Sequence, residues 1–492
     1  MPNTLLLADL SHYDNVIVKC FKSFLLSSFT LFSLLFLPSS AAADLDAGFF
    51  QDRFSLTLRP GERSEWLGPL LSFETNDLQQ GFTLTPLFSW RSGTSTETAE
   101  FDLAYPILTY DASGPEYRFQ FFQLFAIAGG KNQQDDEKSR FTLFPFFFWQ
   151  RSENPAENYT ALFPFYGGLQ NRLFRDELFF ILFPLYIQSE KRGVTTDNYL
   201  FPIFHKRHGY GLKGWQAWPI IGREVKEVTT ITNRFGDLEK SLGHEKFFGP
   251  WPIYFNNRIG IGGTNEGTQF LILPFYASQK APSRESTSYG WPIGLTRTLD
   301  REKGYRETGA PWPLVVFADG PGKKTRRVWP LFGKAKTPIL QSDFYAWPIY
   351  KYNRATSSPL DRERTRILFF LYSDLIERNT VKNTALHRRD FWPLFTWRSE
   401  HDGNSRLQIL APLEPVLPNN KTIERTYSPL WSIWRSENNP RTGDNSHSLL
   451  WNLYRKEKHG AETKHSALFG LFRLRKNAEG THLRIFYLGD SR

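Results

Sequence analysis

The sequence predicts an all-β fold, an antiparallel meander of roughly 20 to 23 repeated strands closed into a large β-barrel. Three observations point there. A proline-aromatic motif recurs along nearly the whole chain, polar turn residues follow each copy, and no connection is long enough to hold a crossover helix, which parallel strands usually need.

The amino terminus comes first. Lys19 and Lys22 precede an apolar run from Phe24 to Leu37, and Pro38-Ser39-Ser40-Ala41-Ala42-Ala43 follows. A positive region, a short apolar stretch and an A-x-A site predict a secretory signal peptide cleaved after Ala43, so residues 1–43 are the preface and signal. The remainder, 44–492, reads as a single β-repeat domain. The only cysteine, Cys20, leaves with the signal, which excludes disulfides, thiolate metal sites and cysteine nucleophiles from the mature chain.

The repeat itself has a period of about 19 residues. Early copies read Phe144-Pro145-Phe146-Phe147, Phe163-Pro164-Phe165-Tyr166 and Phe183-Pro184-Leu185-Tyr186. Later ones prefer tryptophan, as in Trp251-Pro252-Ile253-Tyr254, Trp329-Pro330-Leu331-Phe332 and Trp392-Pro393-Leu394-Phe395. Each unit is expected to be one strand of 8–10 residues with the proline inside it, and the series is expected to run on through Pro412 and Pro429. Proline fits a strand interior poorly because it removes a ladder donor. Runs such as 178–183, Leu-Phe-Phe-Ile-Leu-Phe, are also apolar at every position, which suits strands covered on both faces. The connection between Arg223 and Lys246 is the longest and is expected to hold an extra strand pair or an extended loop.

With 45 Phe, 20 Tyr and 15 Trp the chain carries too much ring surface to be disordered. Those rings suit aromatic girdles at the two interfaces of a membrane barrel. In periodicity and export signal the chain resembles bacterial outer-membrane β-proteins. The resemblance implies a non-enzymatic pore, export conduit or envelope-assembly component. The alternative expectation is a soluble periplasmic or cell-surface β-repeat scaffold, a propeller or solenoid, holding an anionic envelope polymer or protein.

Formal charge is +10. The excess is concentrated between residues 301 and 400, where 19 Lys and Arg face 10 Asp and Glu, a difference of +9. The candidate anion-facing residues there are Lys323, Lys324, Arg326, Arg327, Arg362, Arg364, Arg366, Arg388 and Arg389. Expected partners are outer-membrane lipid or lipopolysaccharide and other envelope proteins, with no nucleic acid. No G-x-S-x-G or H-E-x-x-H motif is present, and no cofactor, metal or catalytic residue is expected. His205 and His208 read as part of a basic turn, and Gly260-Ile261-Gly262-Gly263 as a turn.

Overall fold

The computed structural model describes residues 49–131, 137–232, 236–478 and 480–486. The expected signal peptide and Cys20 lie outside them. The described chain is an antiparallel β-meander with almost no helix. The first strand, Asp52–Ser55, pairs only with Glu62–Trp66, and the last, Gly480–Ile485, only with Phe472–Asn477. Among the described residues, no backbone pairing closes the meander into a barrel.

One expectation is corrected. The described residues form 44 strands, about twice the expected number, each of four to eight residues. The proline is not inside a strand. The strand Arg175–Ile181 ends before the turn 182–185, which contains Phe183-Pro184, and Tyr186–Lys191 begins after it. A single apolar run is therefore two half-strands joined at a tight bend. That arrangement removes both anomalies of the sequence. Proline needs no ladder partner in a turn, and the unbroken apolar run goes around a corner instead of along one strand. Each repeat of about 19 residues is a strand, a proline turn, a second strand and a polar turn.

The polar turns follow ordinary hairpin chemistry. Arg192 and Gly193 have φ of 51° and 70°, as a two-residue hairpin loop with both residues left-handed requires. Gly193 is obligatory there: a Cβ would lie 1.7 Å from the ring of Tyr210. The segment between Arg223 and Lys246 holds the expected extra pair, Thr229–Thr232 with Leu238–Ser241. The sequence Gly260–Gly263 ends the strand Tyr254–Ile261 and opens a turn, as expected. His205 and His208 instead lie on the strand Phe204–Gly209, three residues apart and so on opposite faces.

The series also breaks near Pro412 and Pro429, where no hairpin forms. Residues 421–431 are helical, with a π-helical stretch Ile423–Tyr427 and an α-helical turn Ser428–Trp431. Asn420 caps this segment by accepting a 3.0 Å hydrogen bond from the Ile423 N–H.

The described residues fall into two compact units, 49–158 with 420–486, and 159–419. In the first, the two ends of the chain pack together through polar side chains. Thr57 Oγ1 lies 2.7 Å from Ser446 Oγ, and Asn452 donates to Asp52 and Glu65, each at 3.1 Å. Arg455, buried beside its partner Glu457 at 2.7 Å, also covers the Phe54 ring at 3.6 Å. Burial pushes the Asp52 carboxyl up to about 6, with Arg455 pulling the other way.

Candidate functional site

Successive turns of a meander alternate between the two edges of the sheet. Proline turns alternate with polar turns, so within each unit the proline turns gather on one edge. None of the turns 85–87, 144–146, 163–165, 182–185, 200–203, 218–220, 273–275, 329–331, 346–349 or 392–394 contains an Asp, Glu, Lys or Arg. Leu87, Phe146, Phe165, Ile220, Phe275 and Leu331 are each more than half exposed. Apolar side chains at turn tips, where polar ones are the rule, need an explanation.

The register extends this apolar character onto one sheet face. In the first unit the row beside the turns runs Leu71, Leu84, Phe88, Leu103, Leu108, Phe121, Phe125, Leu143 and Phe147, each directly opposite the next. Two residues further along each strand comes a second row, Phe73, Phe82, Trp90, Phe101, Tyr110, Phe119, Ile127, Phe141 and Trp149. Ring centroids are 4.8 Å apart for Phe73–Phe82 and 5.2 Å for Phe125–Phe141, so the rows are packed ladders. Because the side-chain period is two, the opposite face carries polar residues such as Arg91, Glu100, Asp102, Thr109, Asp111 and Gln120.

The second unit has the same first row, for example Tyr166, Ile181, Tyr186, Tyr199 and Phe204, and again Tyr345, Tyr350, Ile367, Tyr372, Phe391 and Phe395. Its second row differs. Lys206, Arg223, Arg326, Lys334 and Arg389 stand there, among Trp215, Phe317 and Trp397, with Asp197, Asp343 and Asp374 directly opposite Lys206, Lys334 and Arg389. Cations one step behind an aromatic row can lay their stems over the rings while the heads reach water or phosphate. Lys334 lies 5.7 Å from the Tyr345 ring centroid and Arg389 5.6 Å from that of Trp397.

The nine basic residues expected to face anions do not form one patch. Arg326 and Arg389 belong to this second row, and Lys324 stands one step further in, opposite Lys336. Lys323 is bonded to Glu307 and covers the Tyr305 ring. Arg327 points to the other face, opposite Gly333. The structure does bring Arg362, Arg364 and Arg366 of the strand Leu360–Ile367 and Arg388 of the strand Thr384–Phe391 onto one polar face, with the strand Tyr372–Asn379 between them. The strands Phe332–Lys336, Leu340–Tyr345 and Tyr350–Ser357 separate that group from Arg327.

Sequence reasoning missed a cleft of 520 Å³ in the first unit, where the helical segment meets the polar face. Glu100, Asp102, Asp111, Thr109 and Gln120 line one side, and Lys421, Thr422 and Arg425 the other. Asn420 holds the segment by donating to the Tyr105 hydroxyl at 2.9 Å, and the Tyr427 hydroxyl donates to the Pro86 carbonyl at 3.2 Å. Burial raises the Asp102 carboxyl to about 6, against the pull of Arg91 and with a push from Asp111. The signal available in the sequence was Asn419-Asn420 ahead of apolar residues at 423, 427, 430 and 431. No group of three or more His, Cys, Asp or Glu among the described residues is arranged to hold a metal.

A search of protein-family models and of curated proteins finds no match to the chain.

Proposed function

We propose that this chain is an exported, non-enzymatic component of the bacterial cell envelope, a β-wall seated by its proline-turn edge in one leaflet of the outer membrane. The observation that carries the reading is the charge-free, exposed apolar edge backed by aromatic rows. Rows two residues apart are separated by about 7 Å along a strand. From the turn tips to the second row, whose Phe82, Tyr110 and Trp149 are buried and back the exposed residues, the apolar band is about 12 Å deep, near half of the roughly 30 Å hydrocarbon layer. In the second unit the band is shallower and ends in a charged row of Lys, Arg and Asp, which suits the level of the polar headgroups.

Seating is favoured over spanning by strand length. A crossing strand needs about 9–11 residues, and the described strands have four to eight. Closure of the wall into a barrel or ring is part of the proposal. Its support is that the first unit contains both ends of the described chain, joined through Thr57, Ser446, Asp52 and Asn452. Such a ring would present its polar face inward, as the wall of a conduit or a support for envelope assembly. The alternative, a soluble periplasmic scaffold, leaves the exposed edge without an occupant.

Fractionation tests the proposal. The chain should sediment with outer membranes and resist high salt, which would strip a purely electrostatic attachment, and mild detergent should release it. Recovery in the soluble fraction would overturn membrane seating and favour the periplasmic scaffold.

A further inference from the structure

Arg364 and Arg366 project from one face of the strand Leu360–Ile367. Leu375 lies between Arg364 and Arg388 in the register, which puts Arg388 two strands away at the same height. Arg388 is buried. Its Nε donates to both carboxylate oxygens of Asp390, at 3.0 and 2.9 Å, and its Nη2 to the Glu414 carbonyl. Its Nη1 remains buried with no hydrogen-bond partner, and so does the Nε of Arg366. Arg364 has only a long 3.4 Å bond from Nε to the Ser373 hydroxyl. Among the described residues, no carboxylate lies within ion-pair distance of Arg364 or Arg366, whereas Arg362 is held by Glu377 at 2.8 Å.

Among the buried arginines, Arg63 is paired with Glu65 at 2.8 Å, Arg388 with Asp390 at 2.9 Å and Arg455 with Glu457 at 2.7 Å, whereas Arg91 bonds the Thr426 hydroxyl at 3.3 Å. A buried guanidinium without a carboxylate is costly. Arg364 and Arg366 are half-buried and have no carboxylate partner among the described residues. Burial, and then repulsion from Arg366, Arg362 and Arg388, loosens the hold of Arg364 on its proton.

We infer that Arg364, Arg366 and Arg388 form a binding site for a phosphate-bearing anion on the polar face of the second unit. Guanidinium forks match phosphate oxygens two at a time, and a multiply charged tetrahedral group can take donors from several directions. Asp390 and the Glu414 carbonyl hold Arg388 in place, while Arg364 and Arg366 supply uncompensated charge. The site is on the opposite face from Arg326 and Arg389, so it does not depend on membrane seating.

The test is calorimetric titration of the purified full chain in detergent with inorganic pyrophosphate, repeated with phosphatidate in mixed micelles. Saturable binding is expected. R364Q/R366Q should weaken it at least tenfold, while K323Q/K324Q, which removes equal charge elsewhere, should change it less than twofold. R364K/R366K should recover only part of the affinity, since it restores charge without the fork. The R364Q/R366Q variant should melt no lower than the unaltered chain, because no ion pair is lost. Binding of pyrophosphate supports a soluble phosphate source, and binding of phosphatidate alone a lipid headgroup, provided either depends on Arg364 and Arg366. No binding, equal loss in both charge-removal variants, or a lowered melting temperature in R364Q/R366Q would overturn the inference.

Discussion

Phe275 offers a direct probe of the apolar edge. It sits at the tip of the turn 273–275 and is 73% exposed. A phenylalanine side chain presents at least about 150 Å² of surface. Removing the exposed share from water is worth about 3 kcal/mol at 25 cal/mol per Å². A ring immersed only halfway at an interface keeps about 1.5 kcal/mol, which is about tenfold in a partition constant. Phe275→Ser should therefore lower binding to phosphatidylcholine vesicles, measured by co-sedimentation of the purified chain, by about tenfold or more. Folding should be unaffected, because exposed substitutions usually cost less than about 0.5 kcal/mol. Val381 is the control. It is 75% exposed but lies in the turn 380–383 on the opposite edge, so Val381→Ser should leave partitioning unchanged. Equal losses from both substitutions, or from neither, would refute the assignment of the proline-turn edge to lipid.

Two other consequences follow from the packing. Burial pushes the Asp52 carboxyl up to about 6 in the folded chain, against about 3.9 for an exposed aspartate. Below both values it is protonated in either state; between them the unfolded chain ionises first, so stability falls as pH rises from about 4 to about 6 and is level above that. The drop is on the order of 3 kcal/mol, and Asp52→Asn should abolish it in denaturant titrations across that range. Gly193→Ala places a Cβ 1.7 Å from the Tyr210 ring at a φ of 70°. It should cost on the order of 1–3 kcal/mol, read as a lower denaturation midpoint, and a midpoint equal to that of the unaltered chain would show that the hairpin does not need this geometry.

Much of this architecture is legible in the residues themselves. The recurrence of Phe-Pro or Trp-Pro with polar spacers, and the absence of any connection long enough for a crossover helix, is enough for an antiparallel meander. What misleads is Phe183-Pro184-Leu185-Tyr186. Turn tips are ordinarily polar, so an unbroken apolar run reads as one long strand, and both the strand count and the place of proline come out wrong. That local rule gives way at this edge, which the proposed membrane seating would give something apolar to meet. The cluster of Arg362, Arg364 and Arg366 is visible as alternate residues of one strand. Arg388 joins them only through strand pairing, and the buried atoms without partners become visible only once Asp390 and Glu414 are placed. The helical segment after Asn420 is hidden for a different reason. It is short, and the proline rhythm around it suggests another repeat.

The most direct test of the central claim uses the tryptophans already at the edge, Trp251, Trp329, Trp347 and Trp392. Their fluorescence would be measured after the purified chain binds vesicles containing phosphatidylcholine brominated at defined depths along one acyl chain. Because these tips are the deepest part of the seated edge, seating in one leaflet predicts a blue shift, with quenching strongest for bromines midway along the acyl chain or deeper and weaker for bromines next to the headgroups. Absence of quenching at every depth would contradict membrane seating, and quenching confined to the bromines nearest the headgroups would contradict immersion of the proline-turn edge.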